Sequence, residues 1–179
     1  MQPYYLLRHA RACPDPVLPE ADWPLHEQGR LQAEALVPVL QSLGIERLFT
    51  SPYLRARQTV APFAAASGLT AEILNPLHER VLCAVQREDW LEQLRLSWED
   101  PDRALPGGES SRACQQRIVA GIENAHQQGI CLFASHGNAL SLYLQQLEPG
   151  FGFRAWQDMP SPALYRVQGR SFSALELKP

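Results

Sequence analysis

The apolar residues of this 179-residue chain form short continuous runs that alternate with longer segments of helical spacing. Four runs have the length and composition of buried strands, at residues 3–7, 45–50, 71–74 and 130–135. Amphipathic helices are predicted at residues 26–43, 51–68, 88–98, 109–128 and 138–146. Residues 10–24 carry four prolines and are predicted to form a loop.

Strands that alternate with helices indicate an α/β protein. We expect a three-layer sandwich in which a mostly parallel central sheet carries helices on both faces. Residues 164–167 and 172–177 predict a terminal hairpin around Gln168-Gly169 that adds an antiparallel edge to the sheet. A chain of this length is expected to form one domain over residues 1–179.

Single residues predict several helix limits. Helix 26–43 is expected to end at Gly44, and Pro38 within it predicts a kink or a break. Ser51-Pro52 is typical of an N-cap followed by the first helical residue. The expected buried stripe of helix 26–43 consists of Leu31, Ala35, Leu36, Val39 and Leu43.

Residues 80–108 have the least regular pattern and are expected to form a short lid-like insertion. Trp90, Leu91 and Leu94 have the spacing of a buried helical stripe. The same segment also offers side chains that could contact a polar or doubly charged substrate: Arg87, Trp90, Arg95, Trp98 and Arg103.

Composition narrows the class of protein. The chain is 45% hydrophobic and 20% charged, as expected of a globular domain, and its net charge of −3 gives no reason to expect nucleic-acid or membrane binding. No apolar stretch has the length of a membrane span, and the first residues lack the features of a signal peptide. The four cysteines have no CxxC spacing, so we expect reduced thiols in a cytoplasmic protein, with Cys131 in the core and a disulfide or a zinc site as the alternative.

Two histidines directly follow predicted strands. His9 comes after the run that ends in Leu7-Arg8, and His136 follows the run at residues 130–135. In parallel α/β sheets this carboxyl edge is where ligands bind. Arg8 needs an anionic partner at the end of a buried strand, and a guanidinium both suits phosphate oxygens and keeps a nearby imidazole neutral. A neutral imidazole is a nucleophile, so His9 and Arg8 are candidates for phosphate chemistry, with a structural histidine as the alternative.

Two further charged residues follow predicted strands at the same edge. Arg55 lies in the first helical turn after the second strand, whereas Arg57 fits a solvent-exposed position better. Glu79 follows the third strand and is a candidate general acid, with an ion pair to Arg80 as the alternative.

Together these segments resemble the histidine phosphatase superfamily, which includes the cofactor-dependent phosphoglycerate mutases. Any one of the motifs is weak, but several occur in the family's order across nearly the whole chain. In chain order they are Leu7-Arg8-His9-Ala10, Leu25 to Ala33, Ser51 to Thr59, Leu77-His78-Glu79, Pro106 to Ser110 and Ser135-His136-Gly137. The chain departs from the family pattern at Ala10, which replaces a glycine, at His26, which replaces a hydroxyl cap, and in Arg80 to Ala84 after the acid.

The resemblance implies a covalent mechanism with no cofactor or metal. His9 would become phosphorylated, while Arg8, Arg55, His136 and Gly137 would bind the phosphoryl group. Glu79 would protonate the leaving group and then activate water. The expected substrate is a small phosphorylated metabolite, and the expected assembly is a monomer or a homodimer.

The resemblance leaves the acceptor of the phosphoryl group open. Only residues 80–108 separate Glu79 from Glu109, which favours an open site and hydrolysis over mutase activity. Dephosphorylation of protein phosphohistidine and a phosphate-binding module without turnover remain alternatives.

Overall fold

The computed structural model describes residues 2–85, 87–126 and 129–177. Within those ranges the strands are β1 (Tyr4–Arg8), β2 (Arg47–Thr50), β3 (Ala71–Ile73), β4 (Cys131–Ser135), β5 (Ala163–Gln168) and β6 (Ser171–Leu175). The helices are α1 (Glu27–Gln41), α2 (Leu54–Ser67), α3 (Trp90–Glu99), α4 (Ser111–Ala125), α5 (Gly137–Leu147) and α6 (Phe153–Asp158). Two short 3₁₀ turns cover Glu20–Asp22 and Asn75–Leu77.

The strands form one sheet in the order β3-β2-β4-β1-β5-β6. The first four of these run parallel, whereas β5 is antiparallel to β1 and β6 is antiparallel to β5. The predicted α/β class, the mostly parallel sheet and the antiparallel terminal hairpin are therefore confirmed. The parallel strands β1 and β4 are direct neighbours, so their carboxyl ends lie side by side.

The two faces of the sheet bury separate apolar clusters, because successive side chains of a strand point to opposite faces. In β1, Tyr4 and Leu6 pack with residues of α4 and α5, whereas Tyr5 and Leu7 pack with residues of α1 and α2. Cys131 lies in the first cluster and is fully buried, as predicted. The sheet is thus covered by helices on both faces.

The predicted stripe of α1 is only partly correct. Leu36 is buried, and Val39 and Leu43 are half-buried against the apolar cluster on this face of the sheet, whereas Ala35 is exposed. The buried residues are Gly29, Ala33, Leu36 and Leu40, while Leu31 is 63% exposed. Small side chains at the first two positions let the helix approach its neighbours closely, and a pattern based on large apolar residues misses such a face. Pro38 does not break the helix, which continues to Gln41.

Gly29 is the closest approach in this region. A Cβ atom at this position would lie 2.1 Å from the backbone oxygen of Arg11, which accepts a hydrogen bond from His26 N. We therefore expect Gly29→Ala to lower the free energy of unfolding by about 2 kcal/mol, because the clash outweighs the better helix propensity of alanine. Chemical denaturation measures the change.

The matched control is Gly150→Ala, since no atom lies within 4 Å of a Cβ there. This variant should change the free energy of unfolding by less than about 0.5 kcal/mol. Equal stability of both variants would contradict the close packing of α1.

Three helix predictions need correction. α2 begins at Leu54 with Tyr53 as its N-cap, two residues later than the N-cap predicted at Ser51. The predicted helix 109–128 is shorter, because α4 spans Ser111–Ala125; residues 127–128 lie outside the described ranges. α6 was not predicted, since its six residues carry too little periodicity.

The segment 80–108 contains α3, but its predicted buried stripe is only partly correct. Leu94 is buried, whereas Trp90 is 47% and Leu91 is 41% exposed. No helix in the described ranges is long and apolar enough to cross a membrane.

Candidate active site

The predicted site residues converge at the carboxyl ends of β1 and β4. The register pairs Arg8 with Ser135, so the residues that follow, His9 and His136, lie next to each other. Their ring centroids are 5.2 Å apart. The structure therefore brings together the two histidines that the sequence separates by more than one hundred positions.

Hydrogen bonds from distant segments fix the backbone around His9. Its amide donates to Ser135 O at 3.1 Å, and its carbonyl accepts from Ser161 Oγ at 2.6 Å. The next amide, of Ala10, donates to Thr59 Oγ1 at 3.0 Å. Ala10 is fully buried, and no residue other than glycine has a positive φ in the described ranges. Ala10, which replaces a glycine of the family pattern, therefore does not have to adopt a left-handed backbone conformation.

The imidazole of His9 has its Nδ1 and Nε2 in different surroundings. Its Nδ1 lies 2.7 Å from Ala10 O, and since a carbonyl can only accept, Nδ1 carries the proton. The lone pair of Nε2 accepts from Arg55 Nε at 3.2 Å. Burial, followed by the charge of Arg55, lowers the pKa of His9 to about 3. His9 is therefore a neutral imidazole with its nucleophilic nitrogen directed at a guanidinium.

Arg55 is a buried cation with a carboxylate partner. Its side chain is 3% exposed, unlike that of Arg57, which is exposed as predicted. Nη1 and Nη2 donate to the carbonyl and to Oε1 of Glu20, each at 2.7 Å. The guanidinium carbon lies 5.0 Å from the ring centroid of Tyr53 and 5.8 Å from that of Trp23. These contacts hold Arg55 beside His9.

Arg8 is held by backbone carbonyls of the segment that precedes β5. Its Nη1 donates to Met159 O, and to Pro160 O at 3.4 Å, while its buried Nε has no hydrogen-bond partner within the described part of the chain. The guanidinium lies against Gly137, where a Cβ would be 3.0 Å from the guanidinium carbon. Glycine at this position therefore leaves room for the arginine.

His136 is fully buried behind His9. Its Nε2 and Ser51 Oγ are 2.7 Å apart, and Ser51 Oγ also accepts from the amide of Tyr53. Among the described residues, His136 Nδ1 has no hydrogen-bond partner. Burial and then the charge of Arg55 lower the pKa of His136 well below its ordinary value, so this ring is also neutral.

Glu79 is fixed by backbone amides. Its Oε1 accepts from Arg80 N at 2.8 Å and from Ala139 N at 2.9 Å, while Oε2 accepts from Asn138 N at 3.1 Å. Two of these donors lie in the first turn of α5, where unpaired amides favour an anionic partner. The carboxylate is thereby placed at the same edge as both histidines.

The alternative of an ion pair between Glu79 and Arg80 is wrong. The buried guanidinium of Arg80 instead donates to Ser97 Oγ at 2.7 Å and to Ser111 Oγ at 2.8 Å, and its Nε donates to Glu109 O. Arg80 therefore ties α3 to the start of α4 and leaves the side chain of Glu79 to the amides.

Glu20 and Ser51 contact the site, and the sequence assigns neither of them to it. Glu20 lies in the proline-rich segment, where no periodicity or strand end marks its position. Ser51 was interpreted as a helix cap, although it directly follows β2 and so obeys the same carboxyl-edge rule as the other site residues.

The assembled site combines a neutral imidazole with hydrogen-bond donors for an anion. Two buried nitrogens of this site, Arg8 Nε and His136 Nδ1, have no hydrogen-bond partner among the described residues. Buried donors of this kind are costly unless an acceptor satisfies them. A phosphoryl group bound at His9 Nε2 would supply charged oxygens to these nitrogens.

The low pKa values of His9 and His136 predict acid-sensitive stability. A histidine in the unfolded chain titrates near pH 6.5, whereas these folded imidazoles stay neutral to lower pH. Below pH 6.5 the unfolded state therefore binds more protons, and the free energy of unfolding falls. Between pH 7.5 and pH 5, His9 should contribute a loss of about 2 kcal/mol, and His136 should add a loss of the same sign.

Urea unfolding at these two pH values measures this loss. The variant His9→Gln removes one of the two titrating groups and should show a loss that is smaller by about 2 kcal/mol. An identical pH dependence in both proteins would contradict the neutral, buried state of His9.

Comparison with known protein families gives a match over most of the chain. The family model described as histidine phosphatase superfamily (branch 1) matches residues 4–169. Among curated proteins, no sequence matches significantly.

Solved structures share the fold at low sequence identity. A mycobacterial glucosyl-3-phosphoglycerate phosphatase superposes with a TM-score of 0.73 at 22% identity, covering 92% of this chain and 88% of its own. A putative alpha-ribazole-5′-P phosphatase from Escherichia coli K-12 gives a TM-score of 0.72 at 21% identity, covering 97% of this chain and 94% of its own. At these identities the likeness establishes the fold.

Proposed function

Because this chain belongs to branch 1 of the histidine phosphatase superfamily, we propose that it hydrolyses phosphate monoesters through a phosphohistidine on His9. One observation carries the proposal: the neutral Nε2 of His9 lies 3.2 Å from Arg55 Nε, within a buried cluster that also holds Arg8 and His136. A nucleophile surrounded by cations and unpaired donors suits attack on a phosphoryl group.

In the first step, His9 Nε2 bonds to phosphorus and the bond from phosphorus to the ester oxygen breaks. A proton from the Glu79 carboxyl neutralises the departing oxygen. Arg8, Arg55 and His136 Nδ1 donate to the phosphoryl oxygens as charge develops on them. The hydrogen bond from His9 Nδ1 to Ala10 O supports the phosphorylated ring, which becomes cationic.

In the second step, the Glu79 carboxylate takes a proton from water. The water oxygen bonds to phosphorus, the bond from phosphorus to His9 Nε2 breaks, and the imidazole returns to its neutral form. Inorganic phosphate leaves, and Glu79 is again protonated for the next cycle. Both steps need the carboxyl group at a fixed position, which the three backbone amides provide.

The proposal treats residues 1–179 as one catalytic domain with residues 80–108 as a lid-like insertion. A segment of this length, with α3 as its regular element, favours access by water and hence hydrolysis over mutase activity. The names of the structural neighbours, a glucosyl-3-phosphoglycerate phosphatase and a putative alpha-ribazole-5′-P phosphatase, support a small phosphorylated metabolite as substrate. We propose a cytoplasmic monomer or homodimer without nucleic-acid or membrane partners.

Phosphate release from a panel of phosphate monoesters, in buffer treated with chelator, tests the function. We expect release from at least one ester and no release by His9→Ala. If no ester is hydrolysed but phosphohistidine on a protein is, the small-metabolite proposal is wrong. If inorganic phosphate binds and nothing is hydrolysed, the protein is a binding module.

A further inference from the structure

The guanidinium of Arg55 has a resident anionic partner. His9 accepts from its Nε, and Glu20 accepts from both terminal nitrogens, once with its backbone carbonyl and once with Oε1. Each nitrogen of Arg55 thus has a hydrogen bond before any substrate binds. A phosphoryl group that takes a bidentate pair of hydrogen bonds from Arg55 must therefore replace the Glu20 carboxylate or share the guanidinium with it.

The charges around His9 make this competition unfavourable for an anion. Arg8 and Arg55 carry two positive charges, and the Glu20 carboxylate, paired with Arg55, carries a negative charge. Glu20 therefore reduces the positive potential that attracts a phosphate dianion. Its side chain is 45% exposed, so the carboxylate borders solvent as well as Arg55.

Residues 80–108 offer few free cations that could bind a second negative charge on the substrate. The segment holds four arginines against six carboxylates. Two of its arginines already have carboxylate partners: Arg87 pairs with Asp89, and Arg95 pairs with Glu92 and Glu99. The expectation that these arginines bind a doubly charged substrate is therefore not supported by their contacts.

We propose that Glu20 is a specificity determinant that competes with the phosphoryl group for Arg55 and disfavours esters with a second anion beside the phosphate. The inference rests on the proposed phosphatase function and deepens it. The preferred substrates are phosphate monoesters of neutral or cationic alcohols. In the free protein the same carboxylate neutralises Arg55, and after hydrolysis it competes with inorganic phosphate and so favours product release.

Substitution of Glu20 by glutamine removes the charge and keeps the shape of the side chain. We expect Glu20→Gln to bind inorganic phosphate about five- to tenfold more tightly, because a nearby negative charge is lost. Titration calorimetry measures the dissociation constant without turnover, so its outcome does not depend on the phosphatase activity. Weaker binding in Glu20→Gln would mean that Glu20 only orients Arg55, and would overturn the inference.

The matched control is Asp22→Asn, in the same 3₁₀ turn. Asp22 is exposed, and its substitution changes the net charge of the protein by the same amount. We expect the affinity for inorganic phosphate to stay within about twofold, since Glu20 and not Asp22 is paired with Arg55, and an exposed charge away from the anion is screened by solvent. If Asp22→Asn and Glu20→Gln increased the affinity for inorganic phosphate equally, the change in net charge would explain the effect. That result would overturn the specific role of Glu20.

Substrate selectivity is the second readout. We compare kcat/KM for phosphoethanolamine, which has a cationic leaving group, with that for phosphoglycolate, which carries a second anion. The protein should prefer phosphoethanolamine, and Glu20→Gln should reduce this preference by about fivefold or more. An unchanged ratio would overturn the proposed selectivity. Absence of turnover with an intact binding effect would contradict the phosphatase proposal alone.

Discussion

Replacement of His9 by alanine is expected to lower kcat/KM for every hydrolysed ester by at least about 10⁴-fold. The proposed reaction forms its only covalent bond to the protein at Nε2 of this residue. Arg8, Arg55 and His136 remain in the variant, so it should still bind inorganic phosphate. Phosphate release and calorimetry on the same preparation therefore separate chemistry from binding.

A second histidine supplies the matched control for this experiment. His126 follows α4 and lies against Tyr4, which begins β1, so it is at the opposite end of the sheet from His9. His126→Ala should retain catalytic activity once corrected for the folded fraction. Wild-type activity in His9→Ala would show that another nucleophile or an activated water attacks phosphorus.

Chemical trapping provides independent support. A phosphoramidate on histidine is labile in acid and stable in base, whereas a phosphate ester on serine survives acid. Rapid quenching of the wild-type protein in base during turnover should retain a phosphoryl label, and His9→Ala should retain none. A label that survives acid would place the phosphoryl group on another residue.

The sheet and the position of the two histidines could be predicted because they depend on local patterns. Apolar runs mark β1 and β4, and a parallel sheet gathers the residues that follow its strands at one edge. His9 and His136 therefore lie together for a reason that is already present in the sequence. The prediction needed only the strand ends and the parallel topology.

The contacts that adjust the site depend on tertiary structure and could not be predicted. Glu20 reaches Arg55 because the loop after β1 folds back over the sheet edge, and no spacing encodes that path. Ser161 reaches the carbonyl of His9 from a segment that precedes β5. The stripe of α1 is predicted only in part for a related reason, since Gly29 marks close backbone packing that hydrophobicity does not report.

The effect of removing the proton donor should depend on the leaving group. Glu79→Gln is therefore the sharpest test of Glu79 as general acid. For an alkyl phosphate, whose oxygen must gain a proton as it departs, we expect kcat to fall by about 10²- to 10⁴-fold. A nitrophenolate leaves without a proton, so the first step with p-nitrophenyl phosphate should be nearly unaffected. The second step still lacks the base that activates water, and phosphohistidine should accumulate after a burst of nitrophenolate.

The ratio of these two effects is independent of how well the variant folds. Glutamine can present one oxygen to the amides of Arg80 and Ala139, but its NH₂ group then faces the amide of Asn138, which also donates. Some loss of stability is therefore expected, and it lowers the activity toward both esters by the same factor. An equal loss of burst rate for alkyl and aryl esters would show that Glu79 positions α5 and the site but transfers no proton. A burst that survives only with the aryl ester would assign proton transfer to this carboxyl group.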